Sequence, residues 1–120
     1  MVNTSVFENE LNTNLAIDLA ASGETVDTNV LAVKVHSVVK ELLFIKNYAA
    51  TNMTDEQIEA DIERYYPQCM NVARYDYNMI GAEGESQHSE NGISRHYVDR
   101  QKLWSGVIPF AKVGGYYENA

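Results

Sequence analysis

The densest run of residues able to do chemistry lies between Gly81 and Tyr97, where His88 and His96 share a polar stretch with Glu83, Glu85 and Glu90. Two imidazoles and a carboxylate can hold zinc. No pair in this stretch has the tight spacing of a helical or knuckle site, so exposed loop polarity is the simpler account and no metal is expected. The stretch opens Gly81-Ala82-Glu83-Gly84-Glu85-Ser86. It is glycine-rich but carries two glutamates and no lysine. Carboxylates repel a bound phosphate, so this is not a nucleotide cradle.

Cys69 is the single cysteine, which excludes an intrachain disulfide and a cysteine-based zinc knuckle. It could meet His36 in space from another helix. Its place beside an apolar helical face points instead to a small buried hydrophobe. No nucleophile elbow or oxyanion motif is present, so neither catalysis nor a cofactor is expected. Asp55, Glu56, Glu59, Asp61 and Glu63 cluster at the start of a helical pattern. A solvated face complementing the helix dipole explains them; an acidic surface facing a neighbouring subunit or a lumen is the sharper alternative. The eight tyrosines join apolar area to a polar tip and suit core edges and interfaces. Lysine and arginine are too scarce among them for base-stacking platforms.

Positioning these groups falls to a largely helical chain. Phe7, Leu11, Leu15 and Leu19 recur every four residues and predict a helix from about Ser5 to Ala21, ended by Gly23. Its asparagines and threonines weaken helix propensity, so an arm ordered only against a neighbour is the alternative for residues 1–23. Residues 27–49 carry a stripe of Leu31, Val35, Val38, Leu42 and Ile45, widened by Val39 and Leu43, with Asp27 or Thr28 as cap. Lys34, Lys40 and Lys46 fall mostly outside that stripe. Residues 54–80 open on the capping box Thr54-Asp55-Glu56-Gln57 and carry an apolar face of Ile58, Ile62, Tyr66, Met70, Ala73, Tyr77 and Ile80. Pro67 predicts a kink or short break near Tyr65–Tyr66, and Gly81 is expected to end the helix.

Residues 81–99 read as a loop rich in Gly and Ser, with a brief extended piece at 93–98. Residues 100–113 read as a short helix through Leu103, Trp104, Val107 and Ile108, interrupted near Gly106 and Pro109. Residues 114–120 read as a flexible or partner-ordered tail. The expected fold is therefore an all-α single domain over residues 1–120: a small helical bundle with two long helices, a Gly/Ser-rich loop, and a short C-terminal helix and tail.

The chain has 120 residues, enough for one modest core. Seventeen acids against nine bases give a net charge of −8, which argues against a protein that grips nucleic-acid phosphates. An acidic wall can still suit a channel through which DNA passes. The first residues lack the basic and apolar regions of a secretory signal. The apolar run Leu42-Leu43-Phe44-Ile45 is far short of a membrane span. Asn3-Thr4-Ser5 and Asn52-Met53-Thr54 fit the glycosylation pattern, which means little without such a signal.

Glu83-Gly84, then Ser89-Glu90-Asn91-Gly92-Ile93-Ser94-Arg95-His96-Tyr97, then Ile108-Pro109-Phe110-Ala111-Lys112-Val113 follow one another behind the helices. In this order the chain resembles the head–tail connector (head-completion or adaptor) proteins of long-tailed bacteriophages, over about residues 28–113. The resemblance implies a ring, typically of twelve copies, seated below the portal protein. Such a ring extends the DNA channel without sequence-specific binding and docks a downstream stopper or tail protein. It implies a place in the virion at the head–tail junction, assembled in the host cytoplasm with no membrane partner. The residues it marks for subunit or portal contact are Glu83, Ser89, Glu90, Ser94, Arg95, Tyr97 and Lys112. Physically, Glu83, Glu85 and Glu90 can pair across a boundary with Arg95, Arg100 or Lys112. Ring closure needs two different faces on each copy. The acidic start of the second long helix and the basic region from Arg95 to Lys112 are the expected pair. The competing expectations are another neck or packaging accessory, with a stopper or terminator rich in strand, and a small helical regulatory protein.

Overall fold

A computed structural model describes residues 1–83, 100–113 and 116–119 of the chain. Helix α1 spans Ser5–Ala21, and its four-residue repeat Phe7, Leu11, Leu15 and Leu19 is buried. This line packs on the two long helices that follow, so α1 packs within the chain's own core, and the arm alternative does not describe it. The helix ends as its glycine predicts. Gly23 takes the left-handed φ of +89° while its N–H donates to the Ala20 carbonyl and the Glu24 N–H donates to that of Leu19.

Helix α2 spans Thr28–Lys46. Asp27 caps it, one carboxylate oxygen accepting from the backbone N–H groups of Asn29 and Val30 at 3.1 Å each. Leu31, Val35, Val38, Val39 and Leu42 fill its inner face. Asn47 ends it in the left-handed conformation, φ 58°, which asparagine tolerates better than most residues. A 3-10 turn at Tyr48–Ala50 leads to α3, Asp55–Ile62. The capping box is complete: Thr54 Oγ1 accepts from the Gln57 N–H at 3.2 Å, and Gln57 Oε1 accepts from the Thr54 N–H at 2.9 Å.

The expected break occurs where Pro67 demands it. A 3-10 turn over Glu63–Tyr65 separates α3 from α4, Tyr66–Glu83, and Pro67 sits in the first turn of α4, where a missing N–H costs least. This turn also moves the apolar face. A 3-10 turn advances about 120° per residue instead of about 100°, roughly 60° extra over three residues. Tyr65 therefore falls beneath Ile62, and the buried line continues through Cys69, Val72 and Ala73. Tyr66, Met70 and Tyr77, expected at its centre, are only partly buried, and Ile80 is exposed. Gly81 does not end the helix, which runs on to Glu83.

The C-terminal part departs further from expectation. Helical backbone persists only at 100–102 and dissolves into turns at 103–106, with N–H groups bonding three residues back from Leu103 to Ser105. Trp104 and Val107 still reach the core. In place of the rest of a short helix and a flexible tail, β1 (Phe110–Val113) pairs antiparallel with β2 (Tyr116–Asn119), Phe110 opposite Asn119 and Val113 opposite Tyr116. The protein is thus a small, mostly helical bundle with an appended two-stranded hairpin. Among the described residues no helix is long and apolar enough to cross a membrane.

Candidate functional site

Of the residues marked for interface contact, Ser89, Glu90, Ser94, Arg95 and Tyr97 lie outside the described residues, as do His88, His96, Glu85 and the extended piece at 93–98. Glu83 is the last residue of α4, and Lys112 lies in β1 opposite Tyr117. What the fold builds is the pair of anchors on either side of this segment. One is α4 itself. The other is an ionic clamp that receives the chain at Arg100.

Arg100 binds two carboxylates, each through a pair of hydrogen bonds. Its Nε and Nη2 donate to Asp76 Oδ1 and Oδ2 at 2.7 and 2.9 Å. Its Nη2 and Nη1 donate to Glu41 Oε1 and Oε2 at 2.7 and 3.0 Å. Trp104 Nε1 adds a third donor to the cluster, 3.0 Å from Glu41 Oε2. One side chain thereby ties α2, α4 and the returning chain together. The planar guanidinium suits this double fork, which a lysine ammonium does not. The hydrogen bonds to Asp76 and then to Glu41 push its pKa above an already high ordinary value. Arg100 is therefore not available to pair with Glu83, Glu85 or Glu90 of another copy, contrary to the expectation from charge pattern. The signal that could have revealed this is Trp104: a buried indole N–H needs an acceptor, and Glu41, one residue before the core position Leu42, is a candidate.

A further fixed point, beyond the clamp, is Lys46, fully buried at 0% exposure. Its ammonium donates to Tyr65 Oη at 2.9 Å and to the Ile108 carbonyl at 2.5 Å. It lies 4.8 Å from the centre of the Tyr65 ring and 4.4 Å from that of Phe110. Asn47 Nδ2 donates to the Phe110 carbonyl at 3.2 Å, and the Tyr48 and Phe110 rings meet at a 49° tilt with centroids 5.6 Å apart. The end of α2 thus holds the strap that leads into the hairpin. Lys46 was expected outside the apolar stripe, yet it stands four residues after Leu42 and takes the core position, while Ile45 is only partly buried.

The remaining candidates are occupied structurally. Tyr48 donates to Asp61 Oδ2 at 2.6 Å; burial, reinforced by this bond, raises its pKa. Asp61 also pairs with Arg64 at 3.3 Å, Asp55 with the Met1 amine at 2.5 Å, and Glu59 accepts from the Asn3 N–H at 2.8 Å. The acidic start of α3 is therefore largely engaged within the chain, and of its five acids only Glu56 and Glu63 are exposed. His36, on the outside of α2, lies 3.0 Å from Glu8 of α1. Cys69 is fully buried, and burial pushes its thiol up to about 12. Among the described residues no group of three or more His, Cys, Asp or Glu side chains could hold a metal ion.

Cys69 gives a direct check on this packing. At pH 8 only ~10⁻⁴ of a thiol with that pKa is ionised, and the thiolate is the reactive form. A maleimide or disulfide reagent is therefore expected to label the native chain at least about a thousandfold more slowly than the urea-unfolded chain. The raised pKa also sets a sign. The unfolded state ionises first, so its contribution to stability is present below pH ~9 and is lost as pH rises toward 12.

The chain matches no protein-family model, no curated protein and no solved structure. The likeness to connector proteins rests on its own residues.

Proposed function

We propose that the protein is a structural subunit of a bacteriophage neck, a head–tail connector that assembles as a ring beneath the portal, without catalytic activity. The supporting observation is what flanks the Ser89-to-Tyr97 motif in the chain: α4, which ends at Glu83 before it, and the clamp that holds Arg100 after it. The Ile108-Pro109-Phe110 strap behind it is pinned by Lys46. A rigid bundle holding both ends of a polar segment is a suitable scaffold for contact with a neighbouring subunit, the portal, or a downstream stopper or tail protein. The mostly helical fold fits this role better than that of a strand-rich stopper or terminator. The net charge of −8 suits a channel that lets DNA pass without holding it. Twelve copies is the number the resemblance suggests, and the virion's head–tail junction is the place.

Electron microscopy of virions, or of necks reconstituted with the portal, tests the reading. Ring density for this chain is expected at the portal–tail junction, and its absence there overturns the proposal. Tight sequence-specific DNA binding in a gel-shift assay would favour a regulatory protein instead.

A further inference from the structure

The bundle leaves two stripes facing outward, on α1 and on α2, each with a large apolar residue at either end and two polar residues between. Opposite the buried line of α1 lie Val6, Glu10, Thr13 and Ile17; opposite that of α2 lie Val33, Ser37, Lys40 and Phe44. Every one of these residues is exposed. Val6 is 76%, Ile17 64%, Val33 64% and Phe44 86% accessible, large values for side chains of this kind. Both stripes step by four, three and four residues, the spacing of a seam between two packed helices. Both span about 16 Å at 1.5 Å per residue.

We infer that the α1 stripe of one copy packs antiparallel on the α2 stripe of a second copy. In that register Val6 meets Phe44, Glu10 meets Lys40, Thr13 meets Ser37, and Ile17 meets Val33. Apolar groups face apolar groups, hydroxyl faces hydroxyl, and acid faces base. Glu10 and Lys40 make no ion pair among the described residues. The parallel register fits the spacing equally well but sets Glu10 against Ser37 and Lys40 against Thr13. A two-fold α1–α1 or α2–α2 contact brings two Glu10 or two Lys40 within a turn of each other. Charge complementarity therefore selects the antiparallel α1-to-α2 contact.

This contact uses two different faces of the same chain, so it is heterologous and propagates from copy to copy into a ring or an open array. It deepens the ring reading above, resting on that reading for closure alone. It moves the subunit boundary from the acidic start of α3 and the Arg95–Lys112 region to the outer faces of α1 and α2.

Charge exchange in the full-length chain tests it by sedimentation velocity. Glu10→Lys and Lys40→Glu are each expected to weaken self-association about tenfold, and the double variant to return to within about twofold of the parent. Phe44→Asp is expected to weaken it by at least about tenfold. All three positions are exposed, so circular dichroism should stay unchanged. A parent chain that remains monomeric at about 1 mM, or a double variant no better than either single one, overturns the inference. The outcome is separable from the neck reading. Missing ring density at the portal with charge rescue intact sinks the connector role alone, while neck density without charge rescue sinks only this interface.

Discussion

Replacing Arg100 by leucine is expected to lower the free energy of unfolding by about 3 kcal/mol, seen as a lower urea midpoint at an unchanged slope. The reason is what the substitution leaves behind. Glu41 and Asp76 converge on the guanidinium with side chains 31% and 19% exposed, and Arg100 sets its one positive charge between them. Without it two carboxylates remain side by side, partly desolvated and repelling each other. Trp104 alone donates one hydrogen bond to the cluster and cannot balance two charges. Arg100→Lys is expected to fall between, at roughly 1–2 kcal/mol, because an ammonium restores charge without the two forks. Stranded charge as the cause makes a further expectation. Adding Glu41→Gln and Asp76→Asn to Arg100→Leu should recover about half of the loss. If the loss is not recovered, it is one of packing, and the clamp has no electrostatic role.

The clamp also marks where sequence reasoning stopped being sufficient. Elements with a simple period were legible. The four-residue repeat from Phe7 to Leu19, the Asp27 cap, the Thr54–Gln57 box and the break before Pro67 all rest on local chemistry, and each stands in the fold. The phase of α4 was not legible, because a 3-10 turn over Glu63–Tyr65 adds rotation that a constant 100° per residue leaves out. The hairpin did have a signature. Gly114-Gly115 between Lys112-Val113 and Tyr116-Tyr117 is a two-residue turn signal flanked by strand-forming residues. At the candidate site, Arg100, Glu41 and Asp76 are charged residues on three separate segments. Nothing in local spacing says that they meet, because their partnership is decided by how α2, α4 and the returning chain pack.

Lys46 is the position where the largest single loss is expected. Lys46→Ala should destabilise the fold by about 4 kcal/mol, through two separable effects. The four-carbon stem occupies core volume beside Leu42, and its removal opens a cavity. The ammonium supplies the Ile108 carbonyl and Tyr65 hydroxyl with a donor and faces two aromatic rings; its removal leaves the carbonyl unsatisfied. Lys46→Met separates them. Methionine keeps most of the stem volume and loses the donor and the cation–π contacts, so its expected cost is about 1–2 kcal/mol. A Met variant as unstable as the Ala variant would assign the whole effect to the charge, and a Met variant equal to the parent would assign it to volume. The two losses also differ in place. Lys46 touches the strap at Ile108 and Phe110, so in Lys46→Met hydrogen exchange should accelerate first across 107–113, ahead of α1 and α4. A uniform acceleration would mean that Lys46 serves the core at large and that Asn47 and Tyr48 hold the strap without it. Burying a lysine where Leu42's spacing calls for a hydrophobe makes sense physically if the docking of that strap is what the residue provides, since an apolar side chain would fill the space equally well but give the Ile108 carbonyl no partner.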